Sequence, residues 1–379
     1  MKRKFKVAFI CIYSHPSICG VWSRVYNLSR MLIKKGNEVH VFSSNIIKGT
    51  KENSSEFEVY EGIKIHRFKP KFSFGENVKF WDFSKEIKNL NPDIIIAEVY
   101  RHPHTSLALK IAEELKKPCF LVTHAPFVEP ELRSYLGNAL ASFYDRFYGR
   151  KIINKFDKVI TITKWEIPFL IKLGVKSNKM IYLPNGIPEE FFKSKPKKGK
   201  GLLFLGRIAP IKDIETLIRA LKLITLKHPD IKLKIIGPAK EEYKSKIVSL
   251  IKEMDLQKNI DFLPAIYDLN RKIKAIDESS IFILPSLREA MPQSLIEAMS
   301  RGKIVIASDN KGSKEIIKNK KEGFLFPIHD YSKLAEIINF CLDKKNERTL
   351  GKITKNAVSK SKKFKWEKIF NKFYKIIKK

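Results

Sequence analysis

The chain has 379 residues, which is enough for two α/β domains of ordinary size. Hydrophobic residues make up 44% of it, which excludes wholesale disorder. The four cysteines are scattered and form no CxxC pair, so neither a zinc site nor a disulfide framework is expected. The formal net charge of +34 attracts polyanions such as nucleic acid, anionic lipid or phosphorylated ligands. Lysine is spread along the whole chain, however, so part of this charge is ordinary solvated surface.

The first apolar segment, Phe5–Tyr13, is interpreted as a buried strand and not as a signal peptide. It is short, and no small-residue cleavage site follows it. No apolar run approaches the roughly 18–20 residues that a membrane-spanning helix needs. We therefore expect a cytoplasmic protein that is in solution or peripheral on the inner face of the cell membrane.

In the first half, short apolar runs alternate with longer amphipathic ones, which is typical of βαβ units with a parallel sheet. Strands are predicted at Phe5–Ile12, Glu38–Ser43, Ile63–Phe68, Asp93–Ala97, Cys119–Thr123 and Lys158–Thr163. Helices are predicted at Val21–Lys35, Lys79–Leu90, Thr105–Lys116, Leu136–Phe156 and Trp165–Leu173.

The alternation then restarts, and a cluster of Pro, Gly and Lys between the halves predicts a linker at 187–201. Strands are predicted at Leu202–Gly206, Leu233–Gly237, Ile260–Leu263, Ile281–Leu284, Ile304–Ala307 and Phe324–Phe326. Helices are predicted at Asp213–Lys227, Lys240–Met254, Leu269–Ala275, Gln293–Arg301 and Lys333–Leu342, and the chain ends in a basic amphipathic helix. Two such α/β units place a ligand cleft between their strand C-termini.

Two cations follow the first strand of the second half. Arg207 comes directly after Gly206, Lys212 follows five residues later, and Asp213 is the predicted N-cap of the next helix. Cations beside a helix start suit a diphosphate, because arginine can grip phosphate oxygens with two N–H groups while lysine acts as a mobile charge. The alternative is a pair of ordinary surface cations in a lysine-rich chain.

Two glutamates are eight residues apart in the segment LREAMPQSLIEAMS. Glu289 lies in the loop after a predicted strand, Pro292 suits a first helical turn, and Glu297 lies on the helix that follows. Carboxylates in these positions can accept hydrogen bonds from pairs of sugar hydroxyls. The alternative is a capping carboxylate and an ordinary charge on a helix face.

Four further positions could contribute to a phosphate or sugar site. Gly312 precedes a helix that is predicted to begin near Ser313, and free amides there could face an anion. Gly20 lies in the turn after the first strand, and His124 lies at the end of a strand that points toward the same cleft. Each of these features is also common in proteins without such a site.

The order of these segments resembles that of the family-4 glycosyltransferases, which have the GT-B architecture. The similar segments cover nearly the whole chain, and they include GNEVHVFSSN, FDKVITITKW, IYLPNGIPEEFF, LFLGRIAPIKDIETLIRAL and PSLREAMPQSLIEAMSRGKIVIAS. The resemblance implies an α/β fold of two Rossmann-like domains that face each other across a cleft. It implies an acceptor-binding domain at 1–186, the linker at 187–201, a nucleotide-sugar-binding domain at 202–358, and a final helix at 359–379 that packs back on the N-terminal domain.

The resemblance also implies which residues bind the donor. Arg207 and Lys212 would hold its diphosphate, Gly20 would let the first loop approach it, and Glu297 would bind the ribose. Further donor contacts are expected at Met291, Pro292, Gly312 and Ser313. Met291 stands where an aromatic residue is frequent in the family, and this departure leaves the identity of the donor sugar open.

The implied activity is that of a hexosyl-type transferase, which moves a sugar from a nucleoside diphosphate donor to a glycan or lipid-linked acceptor with retention of the anomeric configuration. By the same resemblance, Glu289 would bind hydroxyls of the transferred sugar and His124 would lie beside the reacting carbon, so both are catalytic candidates. No DxD-like pair of aspartates follows a strand, so we expect neither a metal nor another cofactor. Arg207 and Lys212 would instead stabilise the departing diphosphate.

Three other functions compete with this interpretation. A Rossmann dehydrogenase would need GxGxxG after its first strand, and SHPSICGVW lacks it. A basic nucleic-acid-binding protein would account for the charge, but its cations should cluster on one element. A GT-B protein that has lost catalysis and only binds a sugar or a partner is disfavoured by the intact residues Arg207, Lys212, Glu289 and Glu297.

The last expectation is reversible attachment to an anionic membrane surface. In the segment 133–155, aromatic residues mix with Arg146, Arg150 and Lys151, which would lay an aromatic face into the headgroup region while cations meet lipid phosphates. The alternative is that these aromatic residues belong to the core of the N-terminal domain.

Overall fold

The structure is a computed structural model that describes residues 4–74 and 78–378. Contacts along the backbone divide it into an N-terminal unit, which contains the chain up to Asn185 and again from Ile369, and a C-terminal unit, Gly186–Lys368. Each unit holds a parallel sheet with helices between its strands, as the alternating hydrophobic pattern predicts.

Ten strands are described in the N-terminal unit. They are β1 (Lys6–Ile10), β2 (Glu38–Ser44), β3 (Phe57–Tyr60), β4 (Ile63–Phe68), β5 (Phe72–Phe74), β6 (Val78–Phe80), β7 (Ile94–Glu98), β8 (Cys119–Val122), β9 (Lys158–Thr161) and β10 (Met180–Tyr182). Eight of them form one sheet in the order β10-β9-β8-β7-β1-β2-β4-β3, in which β3 is antiparallel to β4 and the other pairs are parallel. Strands β5 and β6 pair separately.

The helices of this part of the chain are α1 (Gly20–Lys34), α2 (Ser84–Leu90), α3 (Pro103–Leu115), α4 (Tyr135–Tyr144), α5 (Arg150–Ile153) and α6 (Ile167–Lys172). The central strands are buried on both faces, as the unbroken apolar run Val7–Ile10 illustrates with no solvent exposure. Every predicted strand of this half is present within two residues of its predicted ends. Strands β3, β5, β6 and β10 were not predicted.

The helix predicted at Lys79–Leu90 is wrong in its first part. Only Ser84–Leu90 is helical, whereas Lys79 and Phe80 belong to β6. Trp81 and Phe83 are fully buried in the core of the unit. The amphipathic pattern predicted a helix here, but the burial of these two aromatic side chains in the core overrides it.

The helix predicted at Leu136–Phe156 is present but interrupted. A π-turn at Asp145–Gly149 separates α4 from α5, and the helix ends at Ile153. The turn is held by Asp145, which accepts hydrogen bonds from the Tyr100 hydroxyl at 3.1 Å and from Arg101 Nε at 2.9 Å. Gly149 faces Tyr100 so closely that a Cβ there would overlap the phenolic oxygen.

The C-terminal unit is built on a six-stranded parallel sheet. Its strands are β11 (Leu202–Leu205), β12 (Leu233–Ile236), β13 (Ile260–Leu263), β14 (Ile281–Leu284), β15 (Ile304–Ser308) and β16 (Phe324–Phe326), in the order β13-β12-β11-β14-β15-β16. Its helices are α7 (Ile214–Thr225), α8 (Glu241–Glu253), α9 (Leu269–Asp277), α10 (Gln293–Ser300), α11 (Lys311–Ile316), α12 (Tyr331–Leu342) and α13 (Glu347–Ser361). The strands predicted in this half are all confirmed.

The segment predicted as a linker is attached to the C-terminal unit. Ile187 and Phe191 are fully buried, and Arg301, itself 1% exposed, donates to the backbone carbonyls of Phe191, Ser194 and Lys195. Arg301 also forms two hydrogen bonds with a single carboxylate, that of Asp277, at 2.9 and 2.7 Å. Because the guanidinium of Arg301 donates to five acceptors, the predicted linker residues that it bonds are held in place and do not form a flexible linker.

The chain ends in α14 (Trp366–Ile377), whose residues from Ile369 onward belong to the N-terminal unit. Ile369, Phe370 and Phe373 are buried there, and the rings of Phe373 and Phe9 stack with centroids 6.4 Å apart. None of the helices in the described part of the chain is long and apolar enough to cross a membrane.

Candidate active site

Two of the residues predicted to contact the donor, Lys212 and Glu289, meet at the carboxyl ends of β11 and β14. Lys212, at the end of a 3₁₀ turn after β11, donates a hydrogen bond to Oε1 of Glu289 in the loop after β14. The Ser286 hydroxyl donates to the same oxygen at 2.7 Å. Both side chains of the ion pair are largely buried, at 17% and 12% exposure, so the attraction between them is only weakly screened.

Arg207 follows β11 directly and is exposed. The described residues offer it no hydrogen-bond or ion-pair partner, so its guanidinium is available for an external anion. The backbone before it packs closely against the neighbouring strand. Gly206 and Gly237 follow the adjacent strands β11 and β12, and a Cβ on Gly237 would overlap the carbonyl oxygen of Gly206.

Asp213 does not cap α7 in the way that its position predicts. Its backbone is left-handed, with φ of 46°, and its side chain accepts no hydrogen bond from the first helical amides. It accepts instead from the Thr216 hydroxyl at 2.8 Å and pairs with His329 Nδ1 at 2.9 Å. Asp213 therefore ties the loop after Lys212 to the chain just before α12.

Glu297 lies on α10 as predicted, with its side chain 6% exposed. Its Oε2 is 2.6 Å from Nζ of Lys272 on α9, and the sequence pattern did not point to this partner. The two oxygens of a carboxylate in this position can accept paired hydroxyl hydrogen bonds.

The loop that carries Glu289 also packs against the start of α11. A Cβ on Gly312 would overlap the carbonyl oxygen of Glu289 and lie 2.8 Å from that of Ala290, so only glycine fits there. Helix α11 begins at Lys311, before the predicted start at Ser313. The Ser313 amide is not free for an anion, because it donates to the Asn310 side chain at 3.0 Å.

Side chains near Glu289 hold this loop in place. Asn310 Nδ2 and the Ser308 hydroxyl both donate to the Ser286 carbonyl, which fixes the residue that bonds Glu289. Met291 and Pro292, the further predicted donor contacts, are buried at the N-terminus of α10.

In the N-terminal unit, Gly20 is the first residue of α1, after the N-cap Cys19. A Cβ added to Gly20 would meet no atom within 4 Å, and its backbone does not have a positive φ. The protein's own packing therefore does not require glycine there.

His124 follows β8 and is bonded to a buried carboxylate. Its Nε2 is 2.5 Å from Oε2 of Glu98, the last residue of β7, and these side chains are 8% and 0% exposed. His124 and Ala125 both have left-handed backbones, with φ of 59° and 53°. Two consecutive non-glycine residues in this conformation are strained, which is typical of functional sites.

Ser286, Lys272 and Glu98 were not singled out by the sequence. Ser286 stands three residues before Glu289, and this spacing is a weak local signal. Nothing in the sequence around Lys272 or Glu98 indicates a role in the site, because each residue pairs with a residue of another element. Over residues 4–74 and 78–378, no group of three or more His, Cys, Asp or Glu side chains is arranged to hold a metal ion.

Solved structures share this arrangement of strands and helices. A sucrose-phosphate synthase from Thermosynechococcus elongatus matches with a TM-score of 0.78, 19% identity, and coverage of 99% of this chain and 98% of that chain. The Anabaena protein HepE in complex with UDP and glucose matches with a TM-score of 0.74, 18% identity, and 99% coverage of both chains. These likenesses define the class: the protein has the GT-B fold.

Two family profiles match the sequence, the first described as glycosyltransferase family 4 over residues 18–191 and the second as glycosyl transferases group 1 over residues 187–359. The chain therefore belongs to the group 1 glycosyltransferases, with a family-4 N-terminal domain. An uncharacterized glycosyltransferase of Methanocaldococcus jannaschii is 26% identical, over 99% of this chain and 98% of its own length. A phosphatidyl-myo-inositol mannosyltransferase of Mycolicibacterium smegmatis is 22% identical, over 87% of this chain and 83% of its own length.

Proposed function

We propose that this glycosyltransferase moves a hexose from a nucleoside diphosphate sugar to a glycan or lipid-linked acceptor, with retention of configuration and without a metal. The observation that carries the proposal is the contact between Lys212 and Glu289, which joins a cation suited to a phosphate with a carboxylate suited to sugar hydroxyls. Arg207 offers a second cation on the same loop, and Glu297 a carboxylate for the ribose.

In the reaction, the bond between the anomeric carbon and the diphosphate oxygen breaks, and the acceptor oxygen forms a bond to that carbon on the same face. The proton of the acceptor hydroxyl passes to the departing phosphate oxygen, so no second carboxylate is needed as a base. Arg207 and Lys212 stabilise the charge that develops on the diphosphate, and such stabilisation is often the largest single contribution to catalysis. Glu289 and His124 orient the sugar.

The solved relatives indicate which donors to test first. The Anabaena protein was solved in complexes with UDP-glucose and with UDP and glucose. The mycobacterial relatives are phosphatidyl-myo-inositol mannosyltransferases, and their acceptor is a lipid. We infer from these two likenesses that a UDP-hexose donor and a lipid-linked acceptor are the first substrates to examine.

Donor hydrolysis tests the activity before the acceptor is known. Radiolabelled UDP-, GDP- and ADP-hexoses are incubated with the protein, and release of free sugar is measured with and without EDTA. We expect one nucleotide class to be hydrolysed, with equal rates in EDTA. If a nucleoside diphosphate binds but no hydrolysis or transfer occurs, the protein is a non-catalytic GT-B protein. If no nucleotide binds and oligonucleotides do, a nucleic-acid-binding protein is favoured.

We also propose that the enzyme attaches to an anionic membrane surface through the helical segment α4–α5. The predicted alternative, that its aromatic side chains form the core, holds for Tyr144, which packs against the core of the N-terminal unit, but does not fit the burial of the other aromatic side chains. Six large apolar residues of the segment are each more than half exposed, namely Tyr135, Leu136, Leu140, Phe143, Phe147 and Tyr148. Several recur at three- and four-residue spacing, as expected for one face of a helix.

The opposite side of the segment is fixed to the protein. Asp145 and Gly149, in the π-turn, pack against Tyr100 and Arg101. Arg146, Arg150 and Lys151 are exposed beside the aromatic residues. An exposed apolar face of this size with adjacent cations suits the interface of an anionic bilayer better than it suits water.

Co-sedimentation with vesicles tests the attachment. We expect binding to vesicles that contain phosphatidylglycerol, weak binding to pure phosphatidylcholine, and release as salt rises, because exposed charges are screened beyond about 8–10 Å near physiological ionic strength. The double variant Phe143→Ser, Phe147→Ser should lose binding. The matched control, Phe57→Ser with Val59→Ser, changes two exposed apolar residues of β3 and should bind normally. No binding to anionic vesicles at low salt would contradict the attachment and favour an acceptor in solution.

A further inference from the structure

Two fully buried carboxylates hold the His124–Ala125 segment, and neither has a role in the chemistry described above. Glu98 contacts the imidazole ring of His124 at 2.5 Å. Glu166 accepts from the amide of Ala125 at 2.8 Å and from the hydroxyl of Thr123. The residues on both sides of His124 in sequence therefore donate to the same glutamate, Thr123 through its hydroxyl and Ala125 through its backbone amide.

Glu166 fixes the backbone of this segment. Its other oxygen accepts from the amides of Ile162 and Thr163, both at 3.1 Å, and from the Thr163 hydroxyl at 2.8 Å. The loops after β8 and β9 are thus joined by one carboxylate with five donors. Left-handed non-glycine residues are strained and persist only where the surrounding contacts hold them in place.

Glu98 fixes the imidazole ring. A hydrogen bond from the ring to a carboxylate oxygen requires a proton on Nε2 of His124, and this tautomer leaves Nδ1 as the nitrogen that can accept. The described residues provide no hydrogen-bond partner for Nδ1. Glu98 is itself held, because its backbone carbonyl accepts from Nε2 of His104 at 2.8 Å.

The two carboxylates share a buried cation. Arg24 on α1 is fully buried, and its Nη1 donates to Asn185 Oδ1 at 2.9 Å and to the Leu183 carbonyl at 3.2 Å. Burial lowers the pKa of Arg24, while the attraction of Glu98 and Glu166 opposes this shift. Arg24 therefore offsets part of the cost of burying two negative charges.

We propose that Glu98 is a positioning residue for catalysis: it sets the orientation and the tautomer of His124, while Glu166 sets the backbone that presents it. The inference rests on the proposed function, because that function places His124 beside the donor sugar. A ring with fixed orientation presents Nδ1 as a hydrogen-bond acceptor for a substrate hydroxyl at no cost in rotamer entropy.

The first test needs no substrate. The ¹⁵N chemical shifts of the His124 ring, assigned with a His124→Gln variant, report which nitrogen carries the proton. We expect a protonated Nε2 and an unprotonated Nδ1 in the wild type, and a mixture of tautomers or a weaker hydrogen bond in Glu98→Gln. A ring protonated at Nδ1, or a spectrum unchanged by Glu98→Gln, would overturn the proposal even if no donor is ever found.

The second test uses turnover. Glu98→Gln should lower kcat about ten- to a hundred-fold and leave the Kd of the nucleoside diphosphate unchanged. In a His124→Ala background the same change should have no further effect, because residues that act through each other are not additive. Glu113→Gln, which removes an exposed carboxylate on α3, is the matched control and should keep wild-type turnover. Equal losses from Glu98→Gln in both backgrounds would mean that Glu98 acts independently of His124.

Discussion

Lys212 and Glu289 are 77 positions apart in the sequence, yet Nζ of the lysine donates a hydrogen bond to the glutamate carboxylate. The pair lies at the ends of β11 and β14, which are adjacent strands of one sheet. Because each residue is largely buried, removing one leaves the other without its counter-charge, at a cost of about 3–5 kcal/mol for a fully buried pair and less here. Variants of these two residues therefore have to be assayed for stability as well as for turnover.

The first prediction concerns the cations. Arg207→Ala should lower kcat/KM about a hundred- to a thousand-fold, because it removes a donor that acts on charge developing in the transition state. Its melting temperature should not change, since the side chain is exposed. Lys212→Ala should lower kcat/KM to a similar extent, with some loss of stability from the unpaired Glu289.

Steady-state kinetics with the donor found by hydrolysis, together with thermal melts, check this prediction. Lys222→Ala is the matched control, because it removes an exposed cation from the solvent face of α7. Near-normal kcat/KM in Arg207→Ala and Lys212→Ala would show that the diphosphate binds elsewhere.

The second prediction separates the two glutamates. Glu297→Gln should weaken binding of the free nucleoside diphosphate, because Glu297 is assigned to the ribose. Glu289→Gln should spare that binding and lower kcat, because Glu289 is assigned to the transferred sugar, which the diphosphate lacks. Calorimetric titration with the nucleoside diphosphate measures the first effect, and donor turnover measures the second. Equal losses of affinity in the two variants would mean that these assignments are wrong.

The third prediction compares two glycines of the candidate site. Gly20→Ala should leave the melting temperature nearly unchanged and lower turnover, because its Cβ meets no protein atom and would obstruct only a ligand. Gly312→Ala should destabilise the protein and lower turnover together, because its Cβ overlaps the Glu289 carbonyl.

Gly351→Ala is the control for both glycines. Gly351 lies within α13 with open space around its Cβ, so alanine should stabilise the protein by up to about 1 kcal/mol without affecting turnover. If Gly20→Ala turns over donor at the wild-type rate, the first loop does not approach the donor through this backbone.

The fourth prediction concerns acid stability. Burial lowers the pKa of His104 to about 3 and that of His102 to about 4, whereas a histidine of the unfolded chain titrates near 6.5. Between these values the unfolded state binds more protons than the folded state, so protonation favours unfolding. The free energy of unfolding should therefore be highest above pH 6.5 and fall as the pH drops from 6.5 toward 4.

Urea denaturation at pH 7.0, 6.0 and 5.0 measures this slope, which is at most about 1.4 kcal/mol per pH unit for each histidine. Paired carboxylates such as Glu38, whose pKa is lowered to about 2, lose their contribution only below about pH 4.5, so they do not obscure the window. His104→Gln should reduce the slope of the unfolding free energy against pH by close to the contribution of one bound proton. An unchanged slope in this variant would mean that His104 is not neutral in the folded protein.

Part of the candidate site was predictable because it is local in sequence. The strand–loop–helix order around Arg207 and Lys212, and the loop and helix that carry Glu289 and Glu297, follow from hydrophobic periods of two and 3.6 residues. The resemblance of these segments to a known family predicted the fold, which the solved relatives confirm.

The sequence by itself determined the positions of most strands of the two main sheets and which side chains follow their carboxyl ends, since hydrophobic periodicity is a local property. Only the tertiary structure decided the partners: Lys212 with Glu289, Lys272 with Glu297, and Glu98 with His124. It also decided that the linker residues pack against Arg301 and that four aromatic side chains of the segment 135–153 remain exposed, namely Tyr135, Phe143, Phe147 and Tyr148. Neighbouring strands in a parallel sheet come from distant parts of the chain, so the contacts at their ends depend on the order of strands in space, and no local pattern records that order.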